Sequence, residues 1–136
     1  MATLEELKAK AVAMLDMAYV PYSHFPVGAA LECEDGAVFT GCNIENSSFG
    51  LTICAERTAL VKAVSEGHRD DWKRIAVVGN SADYCWPCGA CRQVMLETEK
   101  RFKQPMRVLL YGKKGIYELK NVGELLPLSF DASAMK

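Results

Sequence analysis

The stretch VGAALECEDGAVFTGC, residues 27–42, decides the fold that this sequence predicts. It contains two apolar, strand-like runs, Val27 to Leu31 and Val38 to Cys42, with Glu34-Asp35-Gly36 between them. An Asp-Gly pair between two such runs is a good signal for a β-hairpin. The chain is therefore expected to form an antiparallel pair of strands early in the fold.

Helical and strand-like segments alternate on both sides of this hairpin. Before it, Thr3-Leu4-Glu5-Glu6 matches a capping box, and a helical period continues until Pro21. After it we expect a helix over Cys54 to Val64, a strand over Arg74 to Gly79, a helix from Pro87 to Glu99, strands over Met106 to Tyr111 and Ile116 to Leu119, and a helical turn from Asn121 to Leu126. This order predicts an α/β fold, a three-layer α/β/α sandwich with a mixed five-stranded sheet.

Length, charge and composition limit the class of protein. The 136 residues, 50% of them hydrophobic, predict one domain over residues 1–136. Sixteen basic and 17 acidic residues give a net charge of -1, and no basic run is long enough to favour a nucleic-acid polymer as partner. The acidic N-terminus does not resemble a secretory signal, and no segment approaches the ~18 apolar residues of a membrane span. We therefore expect a cytoplasmic protein that does not bind a membrane.

The six cysteines, at positions 33, 42, 54, 85, 88 and 91, are spaced as in metal or catalytic sites. Cys88 and Cys91 lie three apart at the start of a predicted helix, so both sulfurs share one face. Cys54 opens another predicted helix. Three thiolates from two helix N-termini would occupy three corners of a zinc tetrahedron and leave the fourth open for water. Cys33 and Cys42 are expected to pack as small apolar residues.

Three charged residues follow these cysteines closely in the sequence. Glu56 lies two residues after Cys54, where a carboxylate can move protons at the open coordination position. Arg57 and Arg92 can donate hydrogen bonds to the sulfurs, and the helix N-termini add partial positive charge. We therefore expect Glu56 to be catalytic and both arginines to reduce the negative charge of the zinc site.

Two other readings of the cysteines remain open. Cys85 lies three residues before Cys88, so four cysteines could form a closed zinc site in a protein without catalytic function. The segment Cys85-Trp86-Pro87-Cys88 also has the form of a thioredoxin-like redox pair. The closed zinc site gives Glu56 no role. The redox pair gives no role to Glu56, Cys54 or Cys91.

Cys54-Ala55-Glu56, followed by Pro87-Cys88-Gly89-Ala90-Cys91, matches the two-part motif of the zinc deaminases. The likeness extends from about residue 19 to 130, and the stretches that carry it are Tyr22 to Leu31, Gly41 to Asn46, Cys54 to Leu60, Pro87 to Val94 and Glu124 to Pro127. In these stretches the chain resembles the small homotetrameric cytidine deaminases of the cytidine/deoxycytidylate deaminase superfamily.

This resemblance implies a reaction and a cofactor. One Zn2+ per chain would be held by Cys54, Cys88 and Cys91. The expected reaction is hydrolysis of cytidine and 2'-deoxycytidine to uridine and 2'-deoxyuridine plus ammonia, in pyrimidine salvage. Zinc-bound hydroxide would attack C4 of the base while Glu56 transfers protons. The expected partners are thus a nucleoside and water. A related deaminase that acts on a nucleotide, guanine or an RNA base is the alternative within the superfamily.

The resemblance also implies a substrate site. Asn43 and Glu45 would bind the ribose, Phe25 would pack on the pyrimidine, and Ala55 would be a further substrate contact. Because Asn43 and Glu45 are two apart, an extended segment directs both side chains to one side.

Assembly follows from the same resemblance. The family implies a homotetramer with active sites at subunit interfaces, in which Phe130 covers a neighbour's site. Two positions depart from the pattern: Phe49 stands where related sequences often have Tyr, and Cys85 is not required by the motif.

Overall fold

Five strands and three α-helices form the framework of residues 1–135, the part of the chain that the computed structural model describes. The helices are α1 (Leu4–Ala13), α2 (Ala55–Ser65) and α3 (Gly89–Phe102). The strands are β1 (Val27–Cys33), β2 (Val38–Cys42), β3 (Trp72–Gly79), β4 (Arg107–Gly112) and β5 (Gly115–Leu119). The sheet has the order β2-β1-β3-β4-β5, and β3 and β4 run parallel while the other pairs are antiparallel.

Helices cover both faces of the sheet, which confirms the predicted α/β/α sandwich with a mixed five-stranded sheet. On one face, α1 packs through Leu7 and Ala11 against the sheet residues Ala30, Ala76 and Leu109. On the other face, α2 and α3 enclose the larger core. In residues 1–135, no helix has the length and the apolar character that a bilayer-spanning helix requires.

The hairpin that the sequence predicts forms as expected. β1 and β2 pair in an antiparallel register that sets Ala30 opposite Thr40, and Gly36 in the turn has a φ of 91°. Left-handed backbone of this kind favours glycine because a Cβ would be strained there. Every residue of β1 is buried, since this strand lies between β2 and β3 and has helices on both faces.

Two helix boundaries differ from the prediction. The first helix ends at Ala13 and continues as a short 3-10 helix, Met14–Asp16, whereas the apolar period extends further. Pro87 lies before α3 and not in its first turn. Cys88 takes the N-cap position, because its carbonyl accepts the first helical hydrogen bond, from the backbone N–H of Arg92 at 3.0 Å.

Gly41 allows β2 to approach the first turns of α2 closely. A Cβ at this position would lie 2.3 Å from the carbonyl oxygen of Ala55 and 2.6 Å from the backbone nitrogen of Ala59. Both atoms belong to the helix backbone, which cannot move aside as a flexible side chain can. Gly41 therefore sets the distance between the sheet and the helix that begins after Cys54.

Replacing Gly41 by Ala should lower the free energy of unfolding by about 3 kcal/mol, since overpacking against backbone forces α2 away from the sheet. Urea denaturation followed by circular dichroism measures this loss. Gly50→Ala is the matched control, because a Cβ at Gly50 has nothing within 4 Å. That variant should stay within about 0.5 kcal/mol of the parent. Equal stability of the two variants would contradict the close approach at Gly41.

Candidate metal centre and active site

The N-termini of α2 and α3 converge at one end of the sheet. Cys54 is the N-cap of α2, Cys88 is the N-cap of α3, and Cys91 lies in the first turn of α3. Neither N-cap sulfur accepts a capping hydrogen bond from the backbone of its own helix, so both sulfurs are available to side chains and to a metal ion. The three side chains meet although Cys54 lies far from the other two in the sequence.

The spacing of these three sulfurs fits a zinc ion. Cys54 Sγ lies 3.6 Å from Cys88 Sγ, and Cys88 Sγ lies 3.5 Å from Cys91 Sγ. All three sulfurs are within 4.8 Å of one another, and all three cysteines are free. Thiolates about 2.3 Å from a tetrahedral zinc ion lie about 3.8 Å apart. The cluster thus offers three zinc ligands, and exposed Cys88 leaves a side that solvent or a substrate can reach.

The cluster also stabilises negative charge on sulfur. A hydrogen bond from Cys91 lowers the pKa of the Cys54 thiol to about 5, and a further bond from Arg57 acts in the same direction. The same pairing with Cys54 raises the pKa of Cys91, and burial adds to that rise. Cys54 therefore loses its proton more readily than Cys91. A coordinated metal ion removes such a proton outright.

The two arginines that follow the cysteines have different partners. Arg57 Nη2 lies 3.6 Å from Cys54 Sγ and donates to the carbonyl of Thr52 at 3.3 Å. Arg92 instead donates from Nε to the carbonyl of Pro87 at 2.8 Å and from Nη1 to the carbonyl of Leu125 at 2.9 Å. The expected sulfur contact of Arg92 is thus absent from residues 1–135. Its guanidinium holds the segment before α3 against the C-terminal segment of the chain.

Glu56 is buried beside the cysteine cluster, with 3% of its surface exposed. Burial raises the pKa of its carboxyl to about 7, and the negative charge of Cys54 contributes to the rise. A carboxyl with a pKa near neutrality can both accept and donate a proton at working pH. Glu56 therefore has the location and the proton affinity of a general acid/base.

Cys85 stands apart from the metal-ligand group. Among residues 1–135, the sulfurs that cluster with Cys54 are those of Cys88 and Cys91 alone. Burial raises the pKa of the Cys85 thiol to about 11, whereas a reactive redox cysteine has a lowered pKa. The geometry thus favours an open three-sulfur site over both the closed four-sulfur site and the redox pair.

A second group of possible ligands, Cys33, His68 and Asp71, is closed by its own hydrogen bonds. His68 Nδ1 lies 2.8 Å from Asp71 Oδ2, which raises the pKa of His68, and His68 Nε2 lies 3.7 Å from Asp35 Oδ2. Cys33 is fully buried in the core. These contacts join the β1–β2 turn to the loop after α2, so the group has a structural role in holding these two segments together.

Asn43 and Glu45, the expected sugar-binding pair, both bind the backbone that leads into β1. Asn43 Oδ1 accepts from the N–H of Val27 and Asn43 Nδ2 donates to the carbonyl of Phe25, each at 2.9 Å. The two side chains therefore fix the conformation of residues 22–27.

Glu45 holds the first part of that segment. Its Oε1 accepts the backbone N–H groups of Tyr22 and Ser23, each at 3.1 Å, and its Oε2 accepts the Ser23 hydroxyl. The bond from Ser23 is the main reason why the pKa of Glu45 is lowered. Ser23 is not among the predicted site residues, since no local pattern links it to a carboxylate 22 residues away.

Three further predicted contacts lie in different environments. Ala55 is fully buried at the start of α2, and Phe25 is 39% exposed just before β1. Phe130 is 61% exposed, and its carbonyl accepts a hydrogen bond from Gln93 Nε2 at 3.0 Å. Within one chain, therefore, the Phe130 ring remains largely open to solvent while its backbone is attached to α3.

Comparison with known proteins identifies the family. Residues 1–104, more than half of the chain, match the family described as "Cytidine and deoxycytidylate deaminase zinc-binding region". The chain belongs to this family. The predicted resemblance is thereby confirmed, and the description of the matched region agrees with a zinc site at Cys54, Cys88 and Cys91.

Relatives along almost the whole chain support the same assignment. The chain is 50% identical to a cytidine deaminase of Sporosarcina psychrophila over 127 residues, 93% of this chain and 90% of that protein. It is 51% identical to a cytidine deaminase of Halalkalibacterium halodurans over 126 residues, 93% of this chain and 92% of that protein. The crystal structure of a cytidine deaminase from Burkholderia pseudomallei superposes with a TM-score of 0.87 at 46% identity, covering 95% of this chain and 100% of that one. The prediction of an enzyme of the cytidine deaminase type is confirmed.

The ligand assignment predicts opposite effects of two cysteine substitutions. Cys54→Ser removes a zinc ligand. It should therefore lower zinc affinity by more than the roughly 10–100-fold that is lost when only a hydrogen-bond partner of a ligand is removed. Cys85→Ser should retain the zinc of the parent protein. Zinc per chain, measured by mass spectrometry after titration with a competing chelator, tests both. Loss of zinc in Cys85→Ser with retention in Cys54→Ser would show that the ligand set is wrong.

Proposed function

We propose that this protein hydrolyses cytidine and 2'-deoxycytidine to uridine and 2'-deoxyuridine with release of ammonia, as a cytoplasmic enzyme of pyrimidine salvage. The observation that carries the proposal is the buried carboxyl of Glu56 beside three sulfurs at zinc-ligand spacing. The relatives named cytidine deaminase, at 50% and 51% identity, support the choice of substrate.

Cys54, Cys88 and Cys91 are the proposed ligands of one zinc ion per chain. When bound, the ion would supply the Lewis acidity that makes water nucleophilic near neutral pH. The chain contributes partial positive charge from two helix N-termini and a hydrogen bond from Arg57 to Cys54. Both offset the charge of three thiolates, which would otherwise weaken that acidity.

Glu56 is the proposed proton carrier. It takes a proton from the attacking water, protonates N3 of the pyrimidine and later delivers a proton to the departing amino group. A C–O bond forms at C4 while N3 gains the first proton. The C–N bond then breaks as Glu56 moves the proton of the new C4 hydroxyl to the amino group, so ammonia leaves and a C4 carbonyl remains. Burial of Glu56 supports this role, because a pKa near 7 makes both directions of transfer accessible.

The substrate contacts are proposed for Phe25, Asn43, Glu45 and Ala55. Asn43 Nδ2 uses one hydrogen for Phe25 and has a second that can reach a ribose hydroxyl. The Oε2 atom of Glu45 accepts from Ser23 and has a further lone pair for the 3'-hydroxyl. Phe25, whose backbone Asn43 holds, would pack on the base.

A homotetramer of single-domain chains, each spanning residues 1–136, is the proposed assembly. Phe130 and Phe49 are 61% and 74% exposed, so both rings offer apolar surface to a neighbouring chain. A neighbouring subunit would bury such rings, and Phe130 would then cover the neighbour's substrate site. Phe49 stands where related sequences often have Tyr, so it has no hydroxyl that could form a hydrogen bond at this interface.

Glu56→Gln tests the proposed chemistry. The amide keeps the shape of the side chain but cannot carry the proton, so kcat for cytidine should fall by at least about 10²–10⁴-fold. Zinc content should match that of the parent, and the variant should unfold at a urea concentration no lower than the parent, because the neutral amide avoids the cost of burying the Glu56 carboxylate. The loss of cytidine absorbance in the ultraviolet measures the rate.

Glu97→Gln is the matched control, since Glu97 lies exposed on α3 and should retain full activity. Retained turnover in Glu56→Gln would remove Glu56 from the mechanism. Faster turnover of cytidine monophosphate than of cytidine by the parent protein would instead favour a nucleotide deaminase.

A further inference from the structure

Cys85 is the cysteine of the 85–91 segment that the metal cluster leaves without a role. Its side chain is half-buried and packs where β3 ends. A Cβ on Gly79 would lie 3.1 Å from Cys85 Cβ, 3.4 Å from Cys85 Sγ and 3.2 Å from Phe25 Cζ. The aromatic ring and the thiol therefore both border the space beside Gly79 that a larger side chain there would occupy.

Strand alternation places this contact on the metal side of the sheet. In β3, Ile75 and Val77 face α2 and α3, whereas Ala76 and Val78 face α1. Because side chains alternate along a strand, position 79 faces α2 and α3 as well. Phe25 and Cys85 thus lie on the face from which the cysteine cluster is built, at the end of β3 that leads to Cys88.

Charge supports the same location. After burial, the largest contributions to the raised pKa of Cys85 come from the negative charges of Glu56 and Cys54. These groups are therefore close enough for electrostatic interaction. Cys85 therefore places a neutral thiol, small and polarisable, near Glu56 and Cys54.

The proposed function orients a pyrimidine beside these groups. C4 faces the three sulfurs, N3 faces Glu56, and the sugar on N1 extends towards Asn43 and Glu45. Of the two ring atoms bonded to C4, N3 faces Glu56, so C5 is the other edge of the ring beside the three sulfurs. A side chain that lies next to both the cysteine cluster and Phe25 would meet that edge, and Cys85 is such a side chain.

We propose that Cys85 forms the wall of the base pocket at C5 and determines which 5-substituted cytidines the enzyme accepts. This inference rests on the proposed function. The space between the Cys85 thiol and the pyrimidine ring limits the size of a substituent at C5. The volume of the side chain at position 85 therefore sets that size.

The test compares kcat/KM for cytidine and 5-methylcytidine in the parent, Cys85→Ala and Cys85→Met. One methyl or methylene group in an apolar pocket changes kcat/KM by about 10-fold or more. The ratio of 5-methylcytidine to cytidine should therefore rise about tenfold in Cys85→Ala and fall about tenfold in Cys85→Met. Calorimetric dissociation constants of uridine and 5-methyluridine should change in the same directions, which separates pocket shape from catalysis.

Cys42→Ala is the matched control, because Cys42 lies in β2 and lines no part of the proposed pocket. Its substrate ratio should equal that of the parent, as should the ratio of the nearly isosteric Cys85→Ser. Unchanged ratios and unchanged product binding in both Cys85→Ala and Cys85→Met, with cytidine still deaminated, would overturn this inference alone. Absence of cytidine turnover by the parent protein would overturn the proposed function and this inference with it.

Discussion

Three sulfur ligands at one point require positive charge around them, and the convergence of two helix N-termini provides it. Cys54 and Cys88 occupy N-cap positions, where the unpaired N–H groups of α2 and α3 are concentrated. Arg57 adds a full charge 3.6 Å from Cys54. The remaining architecture serves this convergence: Gly41 lets α2 lie close to the sheet, and Arg92 ties the chain before α3 to the C-terminal segment.

The same polar residues support the fold and are available to a substrate. Asn43 and Glu45 bind the backbone of residues 22–27, and this segment presents Phe25 beside Gly79. A sugar that binds these two side chains would therefore also stabilise the position of the ring that packs on the base. In the proposed function, recognition of the sugar and of the base would thus be coupled through one short segment.

The sequence predicts those features that depend on local pattern. The Asp-Gly turn indicates the hairpin, and the Cys-x-x-Cys spacing after Cys54-x-Glu56 indicates which sulfurs share a site. Features that depend on distant contacts could not be predicted in this way. Arg92 binds the carbonyl of Leu125, 33 residues away, in place of a sulfur, and Ser23 meets Glu45 only because β1 and β2 are paired. Local propensity says little about such partners, because they are chosen by tertiary packing.

Zinc K-edge X-ray absorption of the purified protein tests the account most directly, since it counts the ligands of the metal. A catalytic site with three cysteines and one open position predicts three sulfur atoms at about 2.3 Å and one oxygen or nitrogen atom at about 2.0 Å. Four sulfur atoms at about 2.3 Å would contradict the account, because that shell is closed and would leave Glu56 no water to act on.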